Sequence, residues 1–308
     1  MTTTAADEQP GAPRESLLAR YPLLFYFLIA YAGTWLVLLP VVLSEQGAGL
    51  LPFRLSPLLG GLVGAVNTFV GPTLSAFVMT GITEGRAGIR RLLRRYVLWR
   101  VGLRWYLFAL VGIPAIEVLG AIVVPGGLAS FQTIDPPYVL TYLASFVVIF
   151  LIGGPLGEEP GWRGFALPRL QRLHGPLVGS LILGPLWGLW HLPLFWIPVW
   201  GTPPTILNIV LFILSTIALA IVFTWVFNNT KGSLLLAMLV HASVDAFGAG
   251  PLVRLFPAPI VTSDYGGLVP VVIGFGAVAL VLVALTRGRL GYQHYRQAEE
   301  PDSATAPT

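Results

Sequence analysis

Apolar residues run through this chain in blocks of membrane length, separated by polar stretches short enough to be loops. Eight blocks reach the roughly 20 residues needed to cross a bilayer's hydrocarbon core. They cover 22–43, 56–80, 105–125, 138–157, 178–199, 206–228, 233–250 and 267–286. The seventh is short and the fourth runs into a polar cluster, so seven spans is the nearest competing count. Backbone groups inside lipid must be satisfied within the segment, and helices do this. The expected fold is all-α, a polytopic transmembrane helix bundle of about eight spans.

Composition agrees with that pattern. The 308 residues are 55% hydrophobic and only 10% charged, against about 25% charged in an ordinary soluble domain. With no cysteine, the chain has no disulfides, thiolate nucleophiles or cysteine metal sites. Proline recurs inside the blocks, and Pro185 and Pro193 flank His191, which predicts a bent or widened helix there that admits water. No internal repeat is visible, which weighs against an inverted-repeat transporter.

Charge placement adds an orientation. Arg86, Arg90, Arg91, Arg94, Arg95, Arg100 and Arg104 fall between the second and third blocks, which puts that loop in the cytoplasm. Threading the eight blocks from there places both termini, the 158–177 connection with Arg169 and Arg172, Lys231 and the Arg287–Arg289 end on the same side. The opposite loops hold Glu45, Asp135, Arg254 and Asp264. Arg90 with Arg94 and Arg91 with Arg95 are spaced as on an amphipathic helix lying on the inner headgroups, so the bilayer is the expected partner and nucleic acid is not. Arg169 and Arg172 read as snorkelling residues.

The expected organisation has five parts. Residues 1–20 form a disordered cytoplasmic tail, and 21–137 hold the N-terminal transmembrane helices with the basic loop 86–104. Residues 138–250 form the candidate catalytic core, 251–292 the last loop and span, and 293–308 a second disordered tail.

Against this apolar background a few ionisable residues stand out, because each costs kcal/mol in lipid and marks chemistry or a path. Glu158 and Glu159 precede Arg163, His191 lies in the fifth block, and His241 precedes Asp245 by one turn in the seventh. On a helix Glu159 and Arg163 share a face, while Glu158 points about 100° away and lies over Trp162. Pro160 disfavours helical geometry at Glu159, so a helix start or a local break are both open for the pair. Counted from the cytoplasmic ends at 1.5 Å per residue, His191 lies roughly 20 Å deep, His241 about 12 Å and Asp245 about 18 Å, so the elements can converge. Trp187, one turn before His191, is expected to line the site. Glu117 reads as a structural polar contact, and His174 and His294 as non-catalytic.

These residue types suit hydrolysis of a peptide bond in a sequestered wet cavity. A glutamate takes a proton from water and returns it to the leaving amine. Two imidazoles and Asp245 either ligate one divalent metal, zinc by ligand type, or donate to the tetrahedral oxyanion. The histidines sit on different helices, so the metal pattern is weaker than H-E-x-x-H. A non-peptidase immunity or assembly partner and a proton-coupled transporter are the competing classes, since buried ionisable residues serve proton paths too.

Together, Glu158-Glu159 with Arg163, Trp187 four before His191, and His241 four before Asp245 resemble the three motifs of the CAAX-processing and bacteriocin-processing intramembrane peptidases. That family also contains the lysostaphin-resistance membrane proteins. The resemblance covers about residues 140–250. It implies a metalloendopeptidase-like enzyme with Glu158 as the water-activating base, Glu159 as its neighbour, Arg163 as partner, and His191 and His241 as the later histidines. It also implies a membrane-associated peptide substrate, prenylated or cut near its C-terminus. Two positions depart from the family: Trp187 stands where phenylalanine is common, and Asp245 where asparagine is common. Ionised aspartate cannot donate to an oxyanion, so Asp245 is assigned to metal ligation, to orienting a histidine, or to a protonated form.

Overall fold

The computed structural model describes residues 16–197, 200–257 and 267–299, and every regular element among them is helical. The long helices are α1 (Pro22–Leu43), α2 (Pro57–Tyr96), α3 (Leu103–Val123), α4 (Pro136–Ile152), α5 (Pro155–His174), α6 (Pro176–Trp196), α7 (Ile206–Asn229), α8 (Leu234–Leu255) and α9 (Leu268–Thr286). Seven of them are long and apolar enough to cross a membrane, and α4 with α5 makes an eighth span if that pair, bent by 41°, is counted as one. The protein is thus an all-α polytopic membrane protein.

The helix boundaries follow from ordinary end chemistry. Proline occupies the first turn of α1, α2, α4, α5 and α6, where its missing N–H is no loss. Ser56, Thr205 and Ser233 cap α2, α7 and α8 by accepting backbone N–H bonds three residues on. α7 and α8 are the innermost long helices. α6 packs on α7, α7 on α9, α9 on α3, and α8 on α4 and α5. α4 has no buried residue along its length, so it is a peripheral helix that touches the bundle along one side.

Several local features differ from the sequence reading. The fourth block does not run to residue 157: α4 stops at Ile152 and α5 starts afresh at Pro155. Pro185 leaves α6 unbroken, and the change of geometry comes at His191, where α-helix gives way to a 3-10 segment over Leu192–Trp196. Wide π turns occur instead at Phe69–Thr73, Phe108–Gly112, Trp162–Ala166 and Gly248–Leu252.

α2 kinks at Gly85, whose φ of +61° favours glycine, and its arginine-rich end continues as a separate limb. The last tail is partly folded too. Tyr292–Glu299 forms α10, packed on α7, because Tyr295 buries its ring and accepts a hydrogen bond from Arg95 at 2.7 Å. At the other end a single turn, Leu17–Arg20, is capped by Ser16. Asp264 lies outside the described residues, as do 1–15 and 300–308.

Candidate active site

The Glu158-Glu159 pair owes its place to the break before it. Gly154 takes φ +132°, a left-handed value that side chains resist, and this turns the chain between α4 and α5. Pro155 then restarts the helix, which puts Glu158 in its first turn, at the positive end of the helix dipole. Helix start, one of the two geometries left open for the pair, is the one adopted. Thr73 in α2 ties this turn down by donating to the Gly157 carbonyl at 2.6 Å.

Glu159 points into a sealed ionic network. Both Glu159 and Arg163 are fully buried, and Arg163 donates to Glu159 Oε1 at 2.8 Å. The guanidinium carbon sits 4.2 Å from the centre of the Trp187 ring and 4.0 Å from that of Phe223, held between two aromatic faces. His241 Nδ1 approaches the same Glu159 oxygen at 2.7 Å. A carboxylate accepts, so the ring proton sits on Nδ1 and Nε2 is left for other work. That Nε2 lies 3.4 Å from Asp245 Oδ2 one turn on, and the Asp245 side chain is partly exposed.

Glu158 faces the other way, into neutral donors. Its Oε2 accepts from Trp187 Nε1 at 2.8 Å and from Trp162 Nε1 at 3.2 Å. Its Oε1 borders the bare Cα of Gly154, where a side-chain carbon would lie 2.8 Å from that oxygen and 3.9 Å from His241 Nε2. His191 completes this side. Its Nδ1 is 2.8 Å from the Trp187 carbonyl, which can only accept, so Nδ1 carries the proton and Nε2 faces Glu158 Oε2 at 3.9 Å. The His191 ring is packed edge-on against Trp190 and Phe212.

The structure therefore gathers Glu158, Glu159, Arg163, Trp187, His191, His241 and Asp245 from α5, α6 and α8 into one cluster. Trp187 does more than line it, because the indole donates to Glu158 while the ring face covers Arg163. Three contributors were not picked out from sequence: Trp162, Gly154 and Phe223. The Glu158-to-Trp162 spacing was visible and pointed at the first of them. Phe223 comes from α7, 60 residues from Arg163, and carried no local signal.

Both histidines have Nδ1 engaged, the arrangement that leaves Nε2 available to a metal. Among the described residues, however, no three His, Asp or Glu side chains are grouped so as to hold an ion. No chemical step below runs through a metal.

Other charged residues fall elsewhere. Arg169 is not a snorkelling residue: it is buried, stacks on Phe165, donates to the Phe165 carbonyl at 3.0 Å and pairs with Glu84 of α2. His174 is exposed, and His294, also exposed, bonds Asn229. Glu117 of α3 is fully buried near Gly248 of α8, and neither carboxyl oxygen has a hydrogen-bond partner among the described residues.

The stretch that holds this cluster is similar to known proteins. Residues 140–247 match the family described as Type II CAAX prenyl endopeptidase Rce1-like, a stretch that contains every residue of the cluster. The chain carries an Rce1-like CAAX protease family domain. It is also 26% identical over 141 residues to CAAX prenyl protease 2 of Methanococcus maripaludis, an alignment covering 42% of this chain. The chain spans about half the length of that relative, 49%.

Proposed function

We propose that the protein is an intramembrane endopeptidase in which Glu158 activates water to cleave a peptide bond near the C-terminus of a membrane-anchored, prenylated substrate. The observation that carries this reading is the contrast in how the two carboxylates are held. Glu158 is steadied by two neutral indole N–H groups with Oε1 on the open Gly154 side, while Glu159 is locked to Arg163 and His241.

In this mechanism water sits between Glu158 and His191 Nε2. Glu158 removes a proton as the water oxygen bonds to the scissile carbonyl carbon. Negative charge develops on the carbonyl oxygen, and His241, with Nδ1–H fixed on Glu159, presents Nε2 toward it and serves as donor once that nitrogen is protonated. In the doubly protonated form Nε2–H points to Asp245 Oδ2, 3.4 Å away, until the substrate carbonyl takes its place. The proton held by Glu158 then passes to the amine nitrogen as the C–N bond breaks, which restores the carboxylate.

The arginine-rich limb of α2 and the positive-inside rule support an orientation with this cluster toward the cytoplasmic side of the cell membrane and both termini in the cytoplasm. If a divalent ion binds, zinc by ligand type, then His191, His241 and Asp245 hold it and it supplies Lewis acidity to the scissile carbonyl. Elemental analysis of active protein reads this directly.

The test is cleavage of membrane-reconstituted peptides ending in a prenylated cysteine plus three residues, with products identified by mass. Wild type is expected to release the C-terminal fragment and H191A to lose turnover. Wild-type turnover in H191A, or no release by the wild type, contradicts the reading.

A further inference from the structure

A second site lies on the arginine-rich side of the bundle, apart from the carboxylate cluster. Beyond the Gly85 kink, the last limb of α2 leans over the end of α5 and meets α10, enclosing a polar cavity of about 480 Å³. That is the size range of pockets that hold small molecules. Its walls carry Arg91, Arg95, Arg169 and Arg172 against Glu84 and Glu299.

The two carboxylates do not neutralise the four guanidinium groups. Glu84 is shared, receiving Arg91 at 2.7 Å on one oxygen and Arg169 on the other. Glu299 takes Arg95 at 2.8 Å. Arg172 is exposed and has no partner among the described residues, and Arg91 is half exposed. A surplus of two positive charges thus faces one cavity, with guanidinium N–H groups in excess of the acceptors. Planar guanidinium forks match phosphate oxygens in pairs.

We propose that this cavity binds a phosphate-bearing anion, with the headgroup of an anionic phospholipid as its nearest source at this edge of the bundle. The ligand bridges Arg172 and Arg91, the two most exposed arginines of the lining. The cavity also borders the catalytic helix: Gly164 lines it, and Arg95 donates to the Gly164 carbonyl at 3.2 Å. Gly164 follows Arg163 in the same π turn. An occupied cavity therefore braces the turn from which Arg163 reaches Glu159.

Native mass spectrometry of the full chain, released from nanodiscs containing equal phosphatidylglycerol and phosphatidylcholine, tests this. Wild type is expected to retain phosphatidylglycerol selectively. R172Q should lower that selectivity about fivefold, in line with the worth of one basic side chain near an anionic surface. R91E/R172E should abolish it, while R90E/R94E, which reverses two exposed charges on the same limb outside the cavity, should leave it intact.

Adding glycerol 3-phosphate separates the sources. Persistent lipid retention identifies the headgroup, and displacement with binding of glycerol 3-phosphate identifies a soluble phosphate ester. The proposal fails if neither anion binds in preference to phosphatidylcholine, or if the two charge-reversal pairs weaken retention equally. The latter would mean diffuse surface attraction without a built pocket.

Discussion

Glu158 and Glu159 are neighbours in sequence, yet the two sides of the cluster they occupy are built on opposite principles. On the Glu159 side two charged groups are fully buried, face each other at 2.8 Å and are closed over by Trp187 and Phe223. On the Glu158 side the partners are neutral indoles and an imidazole 3.9 Å away, and glycine leaves space at the second oxygen. A proton delivered to Glu159 would strand Arg163 among aromatic rings without its counter-charge, at a cost of several kcal/mol. A proton delivered to Glu158 strands nothing. In the proposed mechanism the pair divides the labour of one site: one carboxylate holds the architecture and the other exchanges protons.

Variants can break this division at either end. The largest effect is expected from R163M, which leaves Glu159 buried without its guanidinium counter-charge, facing only the His241 N–H, and should destabilise the protein by about 3–5 kcal/mol. E159Q/R163M should recover part of that loss, because the two changes act on one pair and their effects are not additive. Thermal unfolding in detergent measures both. If R163M unfolds like wild type, the Glu159 side is not the structural half.

The next effect in size belongs to G154A. A Cβ there must tolerate φ +132° and would sit 2.8 Å from Glu158 Oε1. The strain should cost about 1–3 kcal/mol. The displaced carboxylate should lower kcat about 10²-fold with KM little changed, as small misplacements of a reacting group do. Unaltered kcat would remove the open Gly154 side from the mechanism.

The smallest effect is assigned to D245N. The Asp245 carboxylate is partly exposed and its 3.4 Å approach to His241 is longer than a good hydrogen bond, so stability should change by less than about 1 kcal/mol. Metal content measured on the same preparation separates its two remaining roles. A drop in bound ion on D245N would mark a ligand, and unchanged content with a modest change in kcat would mark a residue that orients His241.

Much of this site was legible in sequence because its internal geometry is helical. The i,i+4 spacing alone pairs Glu159 with Arg163, lays Glu158 over Trp162 and sets Asp245 by His241. The parts that were not legible depend on the approach of distant helices. Phe223 closes over Arg163 from α7, and Glu84 captures Arg169 from α2, which makes a buried partner of a side chain whose local pattern resembles any basic residue at a membrane edge. The stop at Ile152 was hidden in the same way, since an unbroken apolar run masked the Gly153-Gly154 break. α10 escaped because its eight residues are polar overall, and it is the burial of Tyr295 against α7 and Arg95 that folds it.

The most direct test compares E158Q with E159Q in the full chain, measuring turnover of the membrane-anchored peptide and unfolding temperature side by side. E158Q is expected to lose turnover by about 10²–10⁴-fold, the usual worth of a general base, while unfolding at the wild-type temperature. E159Q is expected to unfold at a clearly lower temperature. Turnover at the wild-type rate in E158Q, or a fall in stability in E158Q matching that in E159Q, would contradict the division of roles between the two carboxylates.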